Sequence, residues 1–492
     1  MKYPNIILFR YNQYSDIDTF FKVNRNELLC TINPTDDKQE LNELFDANYH
    51  LLITFGNHFS EYVKDVNDII APRMLRRWLH FDRIENVETF NKSVNYCYID
   101  NVIKGNRPTF SIFTTCYNSY QKIERAYNSV KEQTLKDWEW VILDDTPTDD
   151  TYNNHFRFLT ELFENDKRVR LYKGADNNGS IGSVKNDVVS LCRGKYVIEL
   201  DHDDEILPKV LEDSVKVFED SPDIGFIYMD YTNIYEDGSN YKYNDCFSLG
   251  YAGYYLQWYK ERWVYVASTP NINNITLGHI VSVPNHPRIW RKNTLIEMGN
   301  YSEMLPISDD YELLLRTAVN TKMAKIHKLG YVQYMNNGGN NFSLIRNSEI
   351  NRLCGEHLKP MCFDAYKINE HMKNNDAFDE GGSPNVSIWK KENFVPKHIN
   401  KIINADVKKQ FAIIKTTMFL QNLEHLKNIY SENVYDFLVL DNEMSHEDLC
   451  KMLETHKFHR MKCYSIKDAS VQELINYFMF IYKSCDDYEI IS

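Results

Sequence analysis

The chain lacks several features that would narrow its function at once. None of its apolar runs approaches the roughly 18–20 residues that span a bilayer. The opening Met1-Lys2-Tyr3-Pro4-Asn5-Ile6-Ile7-Leu8-Phe9-Arg10 holds too short an apolar stretch for a secretory leader. The ten cysteines include no C-x-x-C pair and no framework spacing, so they read as reduced thiols and the expected location is cytoplasmic. Basic charge is in deficit: the net charge of −14 argues against a general nucleic-acid binder, which needs a basic surface to replace counterions. A local pocket or a metal can still receive a single nucleotide. No G-x-x-x-x-G-K-[S/T] phosphate loop occurs. The first hundred residues hold no glycine fingerprint either, so no ligand is assigned to them.

What is present is an ordinary globular composition, 43% hydrophobic and 26% charged, with tyrosine as the outlier at 34. At 492 residues the chain is too long for one core, and about two to four domains of about 100–200 residues are expected. Ile6–Phe9, Leu28–Ile32 and Leu51–Phe55 read as buried strands, with helical spacing in Asp36–Asp46 and a helix over Ala71–Leu79. These make a small N-terminal α/β module, residues 1–103. Strands and helices then alternate over residues 108–350. Residues 351–400, with Gly381-Gly382-Ser383-Pro384, read as a linker or irregular region. Phe411–Ile414, Phe437–Leu440 and Met461–Ile466 are the strands expected in a C-terminal α/β module, residues 401–492. The fold class is α/β with mainly parallel sheets.

In such sheets ligands bind beyond the carboxyl ends of the strands, so acids that follow apolar runs come first. Val141-Ile142-Leu143 ends in Asp144-Asp145, ahead of a turn and a plausible helix start at Thr148-Asp149-Asp150-Thr151. These carboxylates suit the N–H of a base or ribose hydroxyls, and equally suit turn formation and capping. Tyr196-Val197-Ile198-Glu199-Leu200 runs into Asp201-His202-Asp203-Asp204-Glu205. So many neighbouring carboxylates repel one another unless a hard divalent cation sits among them or the loop is solvated. Ser308-Asp309-Asp310-Tyr311-Glu312 opens a leucine-rich helix; its acids serve as caps, or one serves as a general base held on a rigid element. The aromatics of Tyr251–Trp263 suit sugar stacking or ordinary packing. His279 and His286 lie near enough in sequence to the acceptor region to matter, though a histidine so placed is more often structural.

In order, these pieces resemble the family 2 glycosyltransferases. Ser111-Ile112-Phe113-Thr114-Thr115-Cys116-Tyr117-Asn118 is similar to the family's opening strand and Thr-x-Tyr-Asn turn. Ser129–Thr134 followed by Trp138-Glu139 matches its next helix and strand, and Leu143-Asp144-Asp145 its Asp-Asp nucleotide site. Asn178-Gly179, Val184-Lys185-Asn186 and Arg193-Gly194-Lys195-Tyr196 lead into Asp201-His202-Asp203-Asp204, like the D-x-D-D metal motif. Tyr301-Ser302-Glu303 and Asp309–Leu313 resemble the later acidic helix.

The resemblance implies a central GT-A (Rossmann-like) domain and a metal-assisted, inverting transfer. The donor is a nucleotide-diphosphate sugar, by default a UDP-sugar, and the acceptor a hydroxyl of a glycan or glycoprotein. It places Mn²⁺ or Mg²⁺ on Asp203, with Asp201 or Asp204 assisting. The donor nucleotide falls to Thr115, Tyr117, Asp144, Asp145 and Asp201, with Lys185 reaching the diphosphate. Asp310 is the base and Asp309 the alternative. The sequence departs from the pattern in carrying Asp309-Asp310 where the family has Glu-Asp, and Asn337 where many members have a metal-binding His. The resemblance leaves the terminal modules uncovered; they are candidates for acceptor binding, for contacts in a homo-oligomer, or for placing the enzyme on an assembly. The competing readings are a metal-dependent nucleotidyltransferase and a sugar-nucleotide- or partner-binding protein without activity.

Overall fold

The computed structural model describes residues 5–10, 15–46, 51–56, 78–81, 83–84, 86–102, 107–147, 155–173, 177–242, 253–279, 283–335, 346–380, 395, 397–403, 410–432, 436–440, 444–459, 462–465, 470–482 and 487–491. Two compact units divide the chain: residues 1–109 with 186–194, and residues 110–185 with 195–492. No helix among the described residues is long and apolar enough to cross a membrane.

In the first unit, β1 (Asn5–Phe9), β2 (Thr31–Thr35), β3 (Leu51–Phe55) and β4 (Trp78–Phe81) pair in parallel in the order β2-β1-β3-β4. Ile6, Leu8, Leu51, Ile53 and Phe55 face Phe90 and Val94 of the helix Val87–Val102 in its core. Two details differ from the sequence expectation. Leu28 packs on this core from the loop before β2, and the strand starts only at Thr31. Trp78 and Leu79, expected at the end of a helix, lie in β4, while residues 71–77 fall outside the described residues. The same is true of the helix start at 148–151.

The second unit is built on one large sheet. Its first strands are β5 (Phe110–Cys116), β6 (Trp138–Asp144), β7 (Val169–Lys173) and β8 (Tyr196–Glu199), parallel in the order β8-β5-β6-β7. Every residue of β6 and β8 is buried, as expected of strands covered on both faces. Next come β9 (Glu205–Ile206), β10 (Ile224–Tyr235), β11 (Asn240–Tyr241), β12 (Tyr254–Tyr259), β13 (Arg262–Ala267), β14 (Arg288–Arg291) and β15 (Lys322–Met335). The strand β14 runs antiparallel to both β8 and β10, and so joins the parallel half of the sheet to the rest.

The aromatic segment is hairpin, not platform. Tyr255 is fully buried, Trp263 nearly so, and Trp258 stacks on His459 with centroids 4.2 Å apart. Tyr251 lies outside the described residues. The hairpin also carries the C-terminal strands. After β16 (Lys401–Ile403), which pairs with β15, come β17 (Gln410–Lys415), β18 (Asp436–Leu440), β19 (Lys462–Ser465) and β20 (Asp487–Ile491). These last four are parallel in the order β20-β17-β18-β19 and continue the sheet through antiparallel β19–β12 pairing, Tyr255 opposite Tyr464. Within the stretch expected to be irregular, the helices Asn347–Leu353, Lys359–Ala365 and Ile368–Asn374 form instead, because Leu358, Cys362, Ile368 and Met372 recur at helical spacing and are buried. The glycine-proline stretch at 381–384 falls outside the described residues.

Candidate active site

The turn after β5 is held from behind. Asn118 and Tyr120 adopt left-handed backbone, at φ 50° and 35°, which costs a non-glycine residue energy unless its surroundings fix it. The fixing group is His155, a fully buried residue. Its Nε2 accepts from the backbone N–H of Ser119 at 2.9 Å and of Tyr120 at 3.3 Å. That assigns the ring proton to Nδ1, 3.1 Å from Asp144 Oδ1. Asp144 is itself fully buried and also accepts from the Thr146 N–H. Burial alone would raise its carboxyl, but the bonds from His155 and Thr146 outweigh it and hold the group below its ordinary value. Asp145 accepts from Asn178 N at 3.0 Å and Asn177 Nδ2 at 2.9 Å, and burial pushes its acid up. Thr115 is half-buried and Tyr117 is 46% exposed at this end of the sheet.

The acidic loop after β8 is anchored by one of its own members. Asp204 is buried, and both of its oxygens accept hydrogen bonds, from the Tyr331 hydroxyl at 2.9 Å and the Tyr334 N–H at 2.8 Å. Burial, with Asp203 and Asp201 nearby, holds its acid well above the usual range. The Tyr331 hydroxyl also accepts from Asp201 N, so one tyrosine of β15 grips both ends of the D-x-D-D turn. Asp203 is partly exposed and lies in the field of Arg125. The Asp201 side chain is 42% exposed, and its Oδ2 stands 3.7 Å from His286 Nε2. Burial holds the His286 ring below the ordinary histidine value, with Arg288 adding to it.

The third acidic pair meets the second through a buried ion network. Ser308 turns through left-handed backbone, φ 64°, to start the helix Asp309–Asn320. Lys185, on the helix Ile181–Leu191, lies 2.9 Å from Glu199 Oε1 and 3.1 Å from Asp309 Oδ2. Arg288 donates to Glu199 Oε2 at 3.2 Å and to Asp310 Oδ2 at 2.8 Å, and the Tyr301 hydroxyl donates to Glu199 at 3.1 Å. Although burial opposes the charge, Lys185 and Arg288 hold the Glu199 carboxyl far below its usual range. Asp309 and Glu199 in turn hold Lys185 well above its own, against burial. Asp309 is pushed up by burial, with Lys185 opposing. Asp310 differs from Asp309 in exposure: 20% of its side chain is open against 6%. A glycine sets the approach: a Cβ on Gly182 would lie 2.2 Å from the Ser302 carbonyl oxygen, so the start of the lysine-bearing helix packs directly on backbone leading to Asp309.

The expected residues thus fall into three groups. Asp309, Asp310 and Lys185 form one network; Asp201, Asp203 and Asp204 share the loop at its edge. Thr115, Tyr117, Asp144 and Asp145 sit at the ends of β5 and β6, beside β8 in the sheet. Lys185, expected to reach a diphosphate, has its ammonium between two carboxylates. Asn337 lies outside the described residues. The sequence reading passed over Glu199, Arg288, His155 and Tyr331. Glu199 carried a signal, since a charge inside the apolar run Tyr196–Leu200 must find a partner. His155 and Arg288 carried none.

The comparisons agree with the motifs. Residues 111–291 match the family model described as Glycosyl transferase family 2. An uncharacterized glycosyltransferase of Methanocaldococcus jannaschii is 26% identical over 286 residues, 58% of this chain and 85% of that protein. A chondroitin synthase of Escherichia coli is 34% identical over 158 residues, 31% of this chain and 22% of its own. A chondroitin synthase of Pasteurella multocida is 24% identical over 374 residues, 74% of this chain and 35% of its own. The chain therefore spans about a fifth to a third of the two synthases' length.

Proposed function

We propose, from the Glycosyl transferase family 2 match over residues 111–291, that the chain moves a sugar from a nucleotide-diphosphate sugar, of the UDP class, to a hydroxyl of a glycan or glycoprotein. The observation that carries this reading is the placement of Asp310. It is the more open acid of the helix start, it is oriented by Arg288 at 2.8 Å, and it belongs to the network that holds the end of β8. From there its carboxylate takes the acceptor proton as the acceptor oxygen bonds to the anomeric carbon. The bond from that carbon to the phosphate oxygen breaks, and the diphosphate leaves with the electron pair. Attack opposite the leaving group inverts the carbon.

The donor set fits a divalent cation: Asp201 and His286 offer ligand atoms within 4.8 Å of each other and of the ion-paired Glu199, and Asp203 follows on the same loop. Mn²⁺ or Mg²⁺ held by Asp203 and Asp201 supplies a Lewis acid for the leaving diphosphate. Asp204, with both oxygens taken, holds the loop, and Asp309, tied to Lys185, holds the helix start. Thr115, Tyr117 and Asp145 receive the base and ribose, with Asp144 fixing the turn behind them.

The test is release of nucleoside diphosphate from a panel of sugar nucleotides, with and without Mn²⁺, by wild type and Asp203→Ala. Metal-dependent release from one donor, lost in the variant, supports the reading. Failure to bind or turn over any sugar nucleotide discards it in favour of a partner-binding protein. Turnover of nucleoside triphosphates alone discards it in favour of a nucleotidyltransferase.

A further inference from the structure

We infer that His286 is the nitrogen ligand of the metal site, paired with Asp201, and that the bound ion is Mn²⁺ in preference to Mg²⁺. The inference rests on the metal-assisted reading above and deepens it. His286 is 6% exposed, and the ring nitrogen it turns toward Asp201 is Nε2. Its Nε2 stands 3.7 Å from Asp201 Oδ2. That separation exceeds a good hydrogen bond, but one cation with bonds of about 2.1 Å to each atom spans it.

The ring is also fixed in place. It stacks on Tyr331 with centroids 4.6 Å apart and planes 24° from parallel, and the Tyr331 hydroxyl is the group that grips Asp201 N and Asp204. One side chain thereby sets both the imidazole and the carboxylate loop, as the supporting shell of a metal site does. Glu199 is the third member of the group, but Lys185, Arg288 and Tyr301 already occupy its oxygens. It contributes charge, and Asp201 and His286 remain the open pair. An imidazole beside carboxylates favours a transition metal over Mg²⁺, which takes oxygen ligands.

The test is pulsed electron paramagnetic resonance of Mn²⁺ added to the full chain with UDP, for wild type, His286→Gln, His202→Gln and Asp203→Ala. The expected result is ¹⁴N coupling of a directly bound imidazole in wild type and in His202→Gln, and its loss in His286→Gln. Mn²⁺ affinity should weaken at least tenfold in His286→Gln, with the preference over Mg²⁺ reduced. Mn²⁺ bound in wild type and lost in Asp203→Ala, but without nitrogen coupling, overturns the role of His286 and leaves the metal-assisted reading standing. Coupling that survives in His286→Gln or disappears in His202→Gln likewise overturns it. No Mn²⁺ binding by wild type removes both. Should His286→Gln fold poorly, a wild-type spectrum without nitrogen coupling still overturns the assignment, and His286→Asn repeats the comparison.

Discussion

Replacing Lys185 with methionine isolates the charge that joins the β8 end to the acidic helix start. Methionine keeps most of the stem volume, so the loss is electrostatic. The lysine side chain is 9% exposed, and its partners Glu199 and Asp309 are 4% and 6% exposed at 2.9 and 3.1 Å. Removing one partner of a buried pair costs about 3–5 kcal/mol, because it strands the other charge. Glu199 keeps Arg288 and Tyr301, whereas Asp309 loses the cation it faces. The lower end, about 3 kcal/mol, is therefore expected. Adding Asp309→Asn removes the stranded charge, and the double variant should recover about 1 kcal/mol or more. Urea titration of the full chain, followed by tryptophan fluorescence, gives both values, since the buried Trp140 and Trp290 report on this unit. A Lys185→Met midpoint within about 1 kcal/mol of wild type, or a double variant no better than the single, refutes the account of the network.

Three further outcomes follow from the same geometry. Glu199 is held below the ordinary glutamate value of about 4.3, so its contribution to stability is full above that pH and lost as pH falls toward its depressed folded value. Thermal melts from neutral pH downward should show a shallower acid limb for Glu199→Gln, and an unchanged limb would contradict the assignment. Gly182→Ala drives a Cβ to 2.2 Å from the Ser302 carbonyl and should cost about 1–3 kcal/mol together with transfer activity; Gly355→Ala, with nothing within 4 Å, should cost neither. Tyr464→Phe removes the 2.7 Å bond to His327 Nε2, and the urea midpoint should report a loss of about 0.5–1.5 kcal/mol.

Legibility in the sequence followed locality. The acids after the apolar runs, Asp144 and Asp201, and the helix start at Asp309 stood out because an apolar run stopping at an acid is a local pattern. The internal roles of the acids were not local. Asp144 and Asp204 look like their neighbours Asp145 and Asp203, and only His155 and Tyr331, 11 and 127 positions away, make them structural. Arg288 reads as an ordinary strand arginine until β14 sets it between Glu199 and Asp310. The C-terminal strands were visible one by one, but their pairing through β12 depends on a register between Tyr255 and Tyr464 that no periodicity encodes.

The most direct test of the central claim is Asp310→Asn, assayed for transfer from the active sugar nucleotide and, separately, for binding of that donor with Mn²⁺. If Asp310 is the base, kcat falls by about 10²–10⁴ while donor and metal affinity stay near wild type. Transfer that persists within a few-fold of wild type, or a loss explained by failure to bind the donor, would contradict it.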